Sequence, residues 1–267
     1  MAPQSAGPWG DGDAYDRFMG RWSRGIAPEF LAWLDAPRGG RWVDVGCGTG
    51  ALTEEILARC GPAEVLGVDL SDAQLSVARG RLDDRRVTFV RGDADHLPSA
   101  GARFDAIVSA LVLNFVPDPE RTLRGMKGLL SPGGCVAGYV WDYAEGMAML
   151  RRFWDAAARV DPSSESQDEA RRFPLGRKPA LESVVIRSGF LRPQVTAIEV
   201  AISFASFEEL WQPFTLRVGP APEFLAAQSP ERQASIREEF RRMTERESGG
   251  PIRMSARAWA FRGYAEG

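Results

Sequence analysis

Trp42-Val43-Asp44-Val45-Gly46-Cys47-Gly48-Thr49-Gly50 is the stretch on which the reading of this chain turns. Its first four residues predict a buried strand, and glycines follow at 46, 48 and 50. Beyond them Leu52, Ile56 and Leu57 are spaced to face a core from a helix. A strand, a glycine turn and a helix start together form a nucleotide cradle. Glycine lets the backbone turn tightly and lets a ligand approach where a Cβ would stand. The N–H groups of the first helical turn are then expected to point at the ligand.

The glycines alone leave the nucleotide open. Gly46, Gly48 and Ala51 also satisfy the G-x-G-x-x-A form of the dinucleotide fingerprint, which would suit an NAD(P)-dependent oxidoreductase. Asp44 argues the other way, because a dinucleotide strand is normally apolar at that point. A carboxylate inside a strand costs free energy unless it accepts from backbone N–H groups or meets a cation. The sulfonium and ammonium of S-adenosylmethionine (SAM) suit that corner; a pyrophosphate does not. Asp44 as a pin for the glycine loop is compatible with either ligand.

Composition narrows the classes. A length of 267 residues fits one large α/β domain or one domain with a substantial insertion. With 44% hydrophobic and 26% charged residues the chain reads as an ordinary globular protein. A net charge of −3 gives no electrostatic footprint for nucleic acid. All basic residues except Lys127 and Lys178 are arginine, a bias we attribute to genomic base composition. No apolar run reaches the length of a membrane span and no signal peptide opens the chain, so a cytoplasmic location is expected. Cys47, Cys60 and Cys135 are too scattered for a disulfide framework or a cysteine zinc site. His96 is the single histidine, which excludes multi-histidine metal sites; no metal is expected.

The chain alternates strand and helix patterns from 41 to 140, which argues for a parallel sheet covered on both faces. Strands are expected near 41–45, 64–69, 87–92, 104–110 and 134–141, and helices near 51–60, 72–81 and 118–130. Ser71 reads as an N-cap, and Asp118-Pro119-Glu120 as a cap, a first-turn proline and a first-turn acid. Ser131-Pro132-Gly133-Gly134 is expected to end the helix before it. Residues 1–12 read as a disordered lead-in and 13–40 as an N-terminal helical segment with Tyr15, Trp22, Ile26 and Phe30 at helical spacing. Past 142 helical patterns dominate, interrupted by a strand at 194–204 and closed by a half-buried strand from 251 to 264.

Four motifs now fall in order. They are Asp44-Val-Gly46-Cys-Gly48-Thr-Gly50, then Gly67-Val68-Asp69-Leu70-Ser71, then Gly92-Asp93-Ala94-Asp95-His96-Leu97-Pro98, then Phe104-Asp105-Ala106-Ile107-Val108-Ser109 running on to Pro117. Each alone is weak, but in register they make residues 41 to about 141 resemble the class I SAM-dependent methyltransferases. The likeness is to the small-molecule subgroup that includes the ubiquinone and menaquinone C-methyltransferases. It implies a Rossmann-like α/β fold: a seven-stranded, mostly parallel sheet with helices on both faces, its last strand (252–263) inserted antiparallel between neighbours. The methyltransferase domain would span 41–267, with helical cap insertions near 142–178 and 206–250 over the substrate.

The resemblance also implies roles. Gly46, Cys47 and Gly48 would pass under the methionine part of SAM, and Asp69 would accept both ribose hydroxyls. Leu70 would pack on the adenine, Asp93 would accept from its amino group, and the Ala94 N–H would face a ring nitrogen. Ser109 lies where the family offers a main-chain carbonyl to the SAM ammonium. Tyr15 and Arg21, in the N-terminal segment that folds over the site in some members, would reach the methionine carboxylate. Many relatives carry a His-His pair at the exit of the fourth strand; Leu113-Asn114 stand there instead, so a histidine base at that spot is not expected.

Methyl transfer demands alignment and exclusion of water more than a catalytic signature. Asp142, Tyr143 and Asn114 are the weak base candidates. Asn114, Trp141, Tyr143 and Trp211 would meet a small, partly apolar acceptor, with plain core packing as the alternative for the tryptophans. His96 reads as a surface or loop residue. A SAM-binding protein without methyl transfer is the remaining alternative from a different class.

Overall fold

A computed structural model describes residues 19–35, 38–98, 101–245 and 251–267. Its centre is a seven-stranded sheet in the order β3-β2-β1-β4-β5-β7-β6. The strands are β1 (Arg41–Val45), β2 (Glu64–Asp69), β3 (Val87–Arg91), β4 (Phe104–Ala110), β5 (Leu130–Trp141), β6 (Leu191–Phe204) and β7 (Ile252–Tyr264). β1 to β5 pair in parallel, while β7 runs antiparallel between β5 and β6, the arrangement that the resemblance implied.

Side-chain alternation along each strand feeds two cores. Trp42, Ala106 and Val108 face one layer, while Val43, Val45 and Ile107 face the other. The first layer is built by α1 (Arg21–Leu34), α2 (Ala51–Arg59) and α5 (Ala148–Val160), with α8 (Phe207–Trp211), α9 (Pro220–Ala226) and α10 (Pro230–Glu245). On the second layer lie α4 (Pro119–Lys127) and α7 (Lys178–Arg187). α3 (Asp72–Arg81) closes a small cluster against Phe89 and Cys47. α6 (Glu169–Arg172) is a single turn among 3-10 turns between α5 and α7.

The predicted caps form. The Ser71 side chain accepts from the Gln74 N–H at the start of α3, and Asp118 from the Arg121 N–H at the start of α4, with Pro119 in its first turn. The Ser-Pro-Gly-Gly stretch behaves differently from expectation. α4 already ends at Lys127, and Leu130 pairs with Phe104 while Cys135 pairs with Ala106. Residues 131–134 are therefore a bulge inside β5, where the turn residues absorb three extra positions between two ladder contacts.

The strand order reverses at β1. Its loop leads to β2 on one side, while β4 lies on the other. Connections diverge there and leave a crevice outside the carboxyl ends of β1 and β4, the general position for ligands in such sheets.

Candidate active site

The glycine loop sits at that crevice. Gly46, Gly48 and Gly50 have φ of 69°, 54° and 86°, which side-chain-bearing residues rarely adopt. At Gly46 space is decisive as well, since an added Cβ would lie 2.1 Å from Val112 Cγ2. The loop's N–H groups are spent inside the protein. Gly46 and Cys47 donate to the Val68 carbonyl at 2.7 and 3.0 Å, and Gly50 donates to the Cys47 carbonyl at 2.9 Å. The Gly48 N–H donates to Asp69 Oδ2 at 2.9 Å. The N–H groups expected to face a ligand are those of the first turn of α2, beyond these three. Two facing loops share one carbonyl and one carboxylate.

Carboxylates line the site instead. Asp44 is fully buried, and its Oδ2 accepts from Thr53 Oγ1 at 2.6 Å, tying β1 to the first turn of α2. This is the pin that the sequence allowed for, made through the helix rather than the glycines. Its Oδ1 meets no donor among the described residues. Burial pushes the Asp44 carboxyl up to about 7, with the nearby Asp69 adding to the rise and Thr53 opposing it. Asp69 ends β2, and its Oδ1 accepts from the Ser71 N–H at 2.8 Å. Each Asp69 oxygen therefore holds one backbone donor and keeps lone-pair capacity for another. Burial raises the Asp69 carboxyl above its usual range, against the pull of the Ser71 and Gly48 N–H groups. Burial and the two carboxyls also push the Cys47 thiol upward, so it stays protonated and is no nucleophile.

Beside Asp69, Leu70 is 63% exposed, an apolar side chain open to solvent at the mouth of the sheet. The Asp93 loop closes on itself: Asp93 Oδ1 accepts from the Asp95 N–H at 2.8 Å, and its carbonyl from the His96 N–H at 3.1 Å. Asp93 and His96 are exposed and Ala94 is half-buried. Ser109 is buried near the end of β4, paired with Val45, and its Oγ has no partner among the described residues.

The chain leaves β4 through Leu111, whose φ of 65° is uncommon for a residue with a side chain. The Leu111 N–H is anchored on the Tyr139 carbonyl at 2.8 Å. This turn lays Val112 over Gly46 and carries Asn114 and Phe115 in a 3-10 turn. Asn114 Oδ1 is buried without a donor among the described residues. Phe115 meets Phe173 edge-on at 5.1 Å, and Phe173 meets Tyr143 at 5.3 Å. The segment before α7 therefore folds onto the exits of β4 and β5. Val112, Phe115, Phe173 and Thr53 were not singled out from the sequence. Thr53 carried a readable signal, a hydroxyl three residues after the last glycine of the loop.

Other predicted residues are placed elsewhere or committed to other partners. Tyr15 lies outside the described residues. Arg21 donates to Glu209 Oε1 at 2.6 Å and to the Ser203 carbonyl at 3.1 Å, with its guanidinium 5.0 Å from the Phe204 ring centre. The carboxyl end of β6 stands four strands from β1, roughly 19 Å at the usual strand spacing. Arg21 is thus drawn away from the loop by the acid of α8 and the free carbonyl of an edge strand. Asp142 is held by the Arg257 Nε at 2.7 Å and by the Glu145 N–H at 3.0 Å. These contacts anchor the Asp142 carboxylate to β7 and to the turn that follows β5. Trp141 is buried in the core of the first layer. Trp211 packs in an aromatic cluster with Phe153, Phe207, Phe214 and Phe240 at 5.6–6.5 Å. Both tryptophans take the core alternative.

Known proteins match this geometry. Residues 43–138 match the family model described as Methyltransferase domain. The ubiquinone/menaquinone biosynthesis C-methyltransferase UbiE of Idiomarina loihiensis is 40% identical over 104 residues, 37% of this chain and 41% of that protein. The 2-phytyl-1,4-naphtoquinone methyltransferase of Thermosynechococcus vestitus is 36% identical over 129 residues, 46% of this chain and 57% of that protein. The chain thus spans only about half the length of the curated relatives it matches. Among solved structures, phosphoethanolamine N-methyltransferase 2 of Haemonchus contortus, in complex with phosphomonomethylethanolamine and S-adenosylhomocysteine, superposes with a TM-score of 0.58. It shares 20% identity, with 96% of this chain and 57% of that one covered. The [4+2]-cyclase SpnF superposes with a TM-score of 0.55 at 18% identity, covering 91% of this chain and 82% of that one. These two show the fold alone. Residues 43–138 thus match a methyltransferase domain, and they lie within a seven-stranded sheet of the order β3-β2-β1-β4-β5-β7-β6.

Proposed function

We propose that this protein binds SAM across the carboxyl ends of β1, β2 and β4 and transfers its methyl group to a small, partly apolar acceptor. The observation that carries the reading is the pairing of an inward-donating glycine loop with two carboxyls, the fully buried Asp44 and the half-buried Asp69. Such a site suits a cation and a vicinal diol.

In this reading Gly46, Cys47 and Gly48 lie under the methionine part and the Asp69 oxygens accept from the ribose. Leu70 covers the adenine, Asp93 and the Ala94 N–H meet its edge, and the Ser109 carbonyl faces the ammonium. SAM supplies a methyl carbon activated by a positive sulfur. The chain's task is then to seat the nucleophile in line with it and keep water out. Phe115, Phe173 and Tyr143 make an aromatic wall at the exits of β4 and β5 that serves both ends. Asn114 Oδ1, buried without a donor, suits an O–H or N–H on the acceptor. We assign no base to Asp142, whose charge belongs to Arg257.

We further infer that residues 142–178 cover the acceptor and that 206–245 buttress them, since α10 packs along α5. Incubation with methyl-labelled SAM and a metabolite extract tests the function. Label is expected in a small organic product, while a well-bound cofactor with no labelled product across broad extracts would refute transfer. That outcome would leave the second reading, binding without methyl transfer.

A further inference from the structure

One buried hydroxyl ties the Asp93 loop to the helix behind it. Thr122 stands in the first turn of α4 and is buried there. Its Oγ1 donates to Asp95 Oδ1, on the loop that follows β3. The Asp95 N–H in turn donates to Asp93 Oδ1 at 2.8 Å, and an antiparallel bridge joins Asp93 to His96. That bond holds one oxygen of the exposed Asp93 carboxylate and fixes the direction of the other.

The Thr122 hydroxyl has one proton and two acceptors within reach. The Asp118 carbonyl, one turn back in α4, lies 3.0 Å from the same oxygen. A carboxylate is the stronger acceptor, because its charge strengthens the bond. Thr122 therefore serves the loop before its own helix. Without Asp95 the hydroxyl falls back on the Asp118 carbonyl, a usual local partner of a helical threonine, so no buried donor is orphaned. Ala94 and Leu97 give the loop a second anchor, since they pack on the core layer that Leu123 and Met126 of α4 help to build. Apolar contact is non-directional and holds the loop down. The hydrogen bonds give it direction.

We propose that Thr122 is a positioning residue for the cofactor's base: acting through Asp95, it aims the Asp93 carboxylate at the 6-amino group of adenine. This rests on the SAM reading above. A purine that carries the amino donor is then selected over one that lacks it. An Asp93 loop without this support would have to be ordered when the ligand binds, at a cost in affinity.

Isothermal titration with two ligands tests the proposal. They are S-adenosylhomocysteine and its desamino analogue, in which hydrogen replaces the 6-amino group. The wild type is expected to favour the amino ligand by about tenfold. Thr122→Val keeps the shape and removes the hydroxyl. It is expected to weaken S-adenosylhomocysteine about fivefold and the desamino ligand by less than about twofold. Thr122→Ser returns the hydroxyl and is expected to restore most of the preference. Asp95→Ala breaks the same bond from the half-buried loop, so it should copy Thr122→Val, and the double variant should lose no more than either alone.

Equal weakening of both ligands by Thr122→Val means a general loss of packing and overturns the proposal, as does no weakening of either. A wild type that binds the two alike overturns it while the SAM reading stands. No binding of either ligand overturns that reading and this inference with it. Should Thr122→Val fail to fold, Asp95→Ala with the same two ligands decides the matter.

Discussion

The two halves of this molecule hold their carboxyl groups in different ways. Around the glycine loop, Asp44 and Asp69 are held by hydroxyl and backbone donors, with an acceptor oxygen left over. In the helical half, Asp142 and Asp168 are closed by Arg257 and Arg151, and the buried Glu169 accepts from the Trp154 indole N–H. Carboxyls completed by the protein hold structure, whereas those left incomplete invite a ligand. The large apolar residues divide in the same way. Phe153, Trp211, Phe214 and Phe240 saturate one another in the core, while Leu70 and Phe115 stay partly open at the carboxyl end of the sheet.

The largest effect expected from this contrast is structural. Trp211→Ala empties the aromatic cluster and is expected to cost about 4 kcal/mol of stability, with the affinity for S-adenosylhomocysteine unchanged. Denaturant unfolding and calorimetry check both halves of that statement. A weakened cofactor with normal stability would move Trp211 into the site and break the comparison.

Glu169 gives a pH signature on the same side. Burial first, opposed by its own N–H and by Trp154, pushes its carboxyl up to about 7. The folded state then holds a proton that the unfolded chain loses near its ordinary 4.5, so stability falls as pH rises from about 4.5 to about 7 and is flat above. Asp44 acts in the same direction. Glu169→Gln is expected to remove about 3 kcal/mol of that slope, read from unfolding midpoints across the range. An unchanged slope would mean the carboxyl is hydrated.

On the cofactor side, Asp69→Ala should weaken S-adenosylhomocysteine about 100-fold, roughly 3 kcal/mol, while the protein remains folded. It removes the ribose contact and releases the Gly48 and Ser71 N–H groups together. Undiminished affinity would show that Asp69 only pins the loop. Smallest of all, Arg21→Ala should shift stability by less than about 0.5 kcal/mol and leave cofactor affinity within twofold, because its partner Glu209 is a surface ion pair far from the loop.

The sequence made the cofactor half legible because its constraints are local. A glycine at positive φ, a serine or aspartate before a helix and an acid at a strand end each leave a mark in the chain, and Gly46, Ser71, Asp118 and Asp69 are where that reading put them. What the marks could not carry was orientation. Nothing in Gly-Cys-Gly says that its N–H groups turn back to the Val68 carbonyl, since that depends on a neighbouring strand. The same holds for Arg21, captured by an acid 188 positions away, and for Asp142, captured by Arg257. Ser131–Gly134 misled for a related reason, because turn residues serve a strand bulge as readily as a helix stop. Phe173 and Glu169 lie in a one-turn helix and its flank, too short to show a periodicity.

The central claim is that the loop over Asp44 and Asp69 takes SAM rather than a dinucleotide. Thermal-shift titration of the full chain with SAM, S-adenosylhomocysteine and NAD in parallel tests it most directly. Both sulfur nucleosides are expected to raise the melting temperature with saturating dependence on concentration, and NAD to leave it unmoved. Stabilisation by NAD without any by S-adenosylhomocysteine would contradict it.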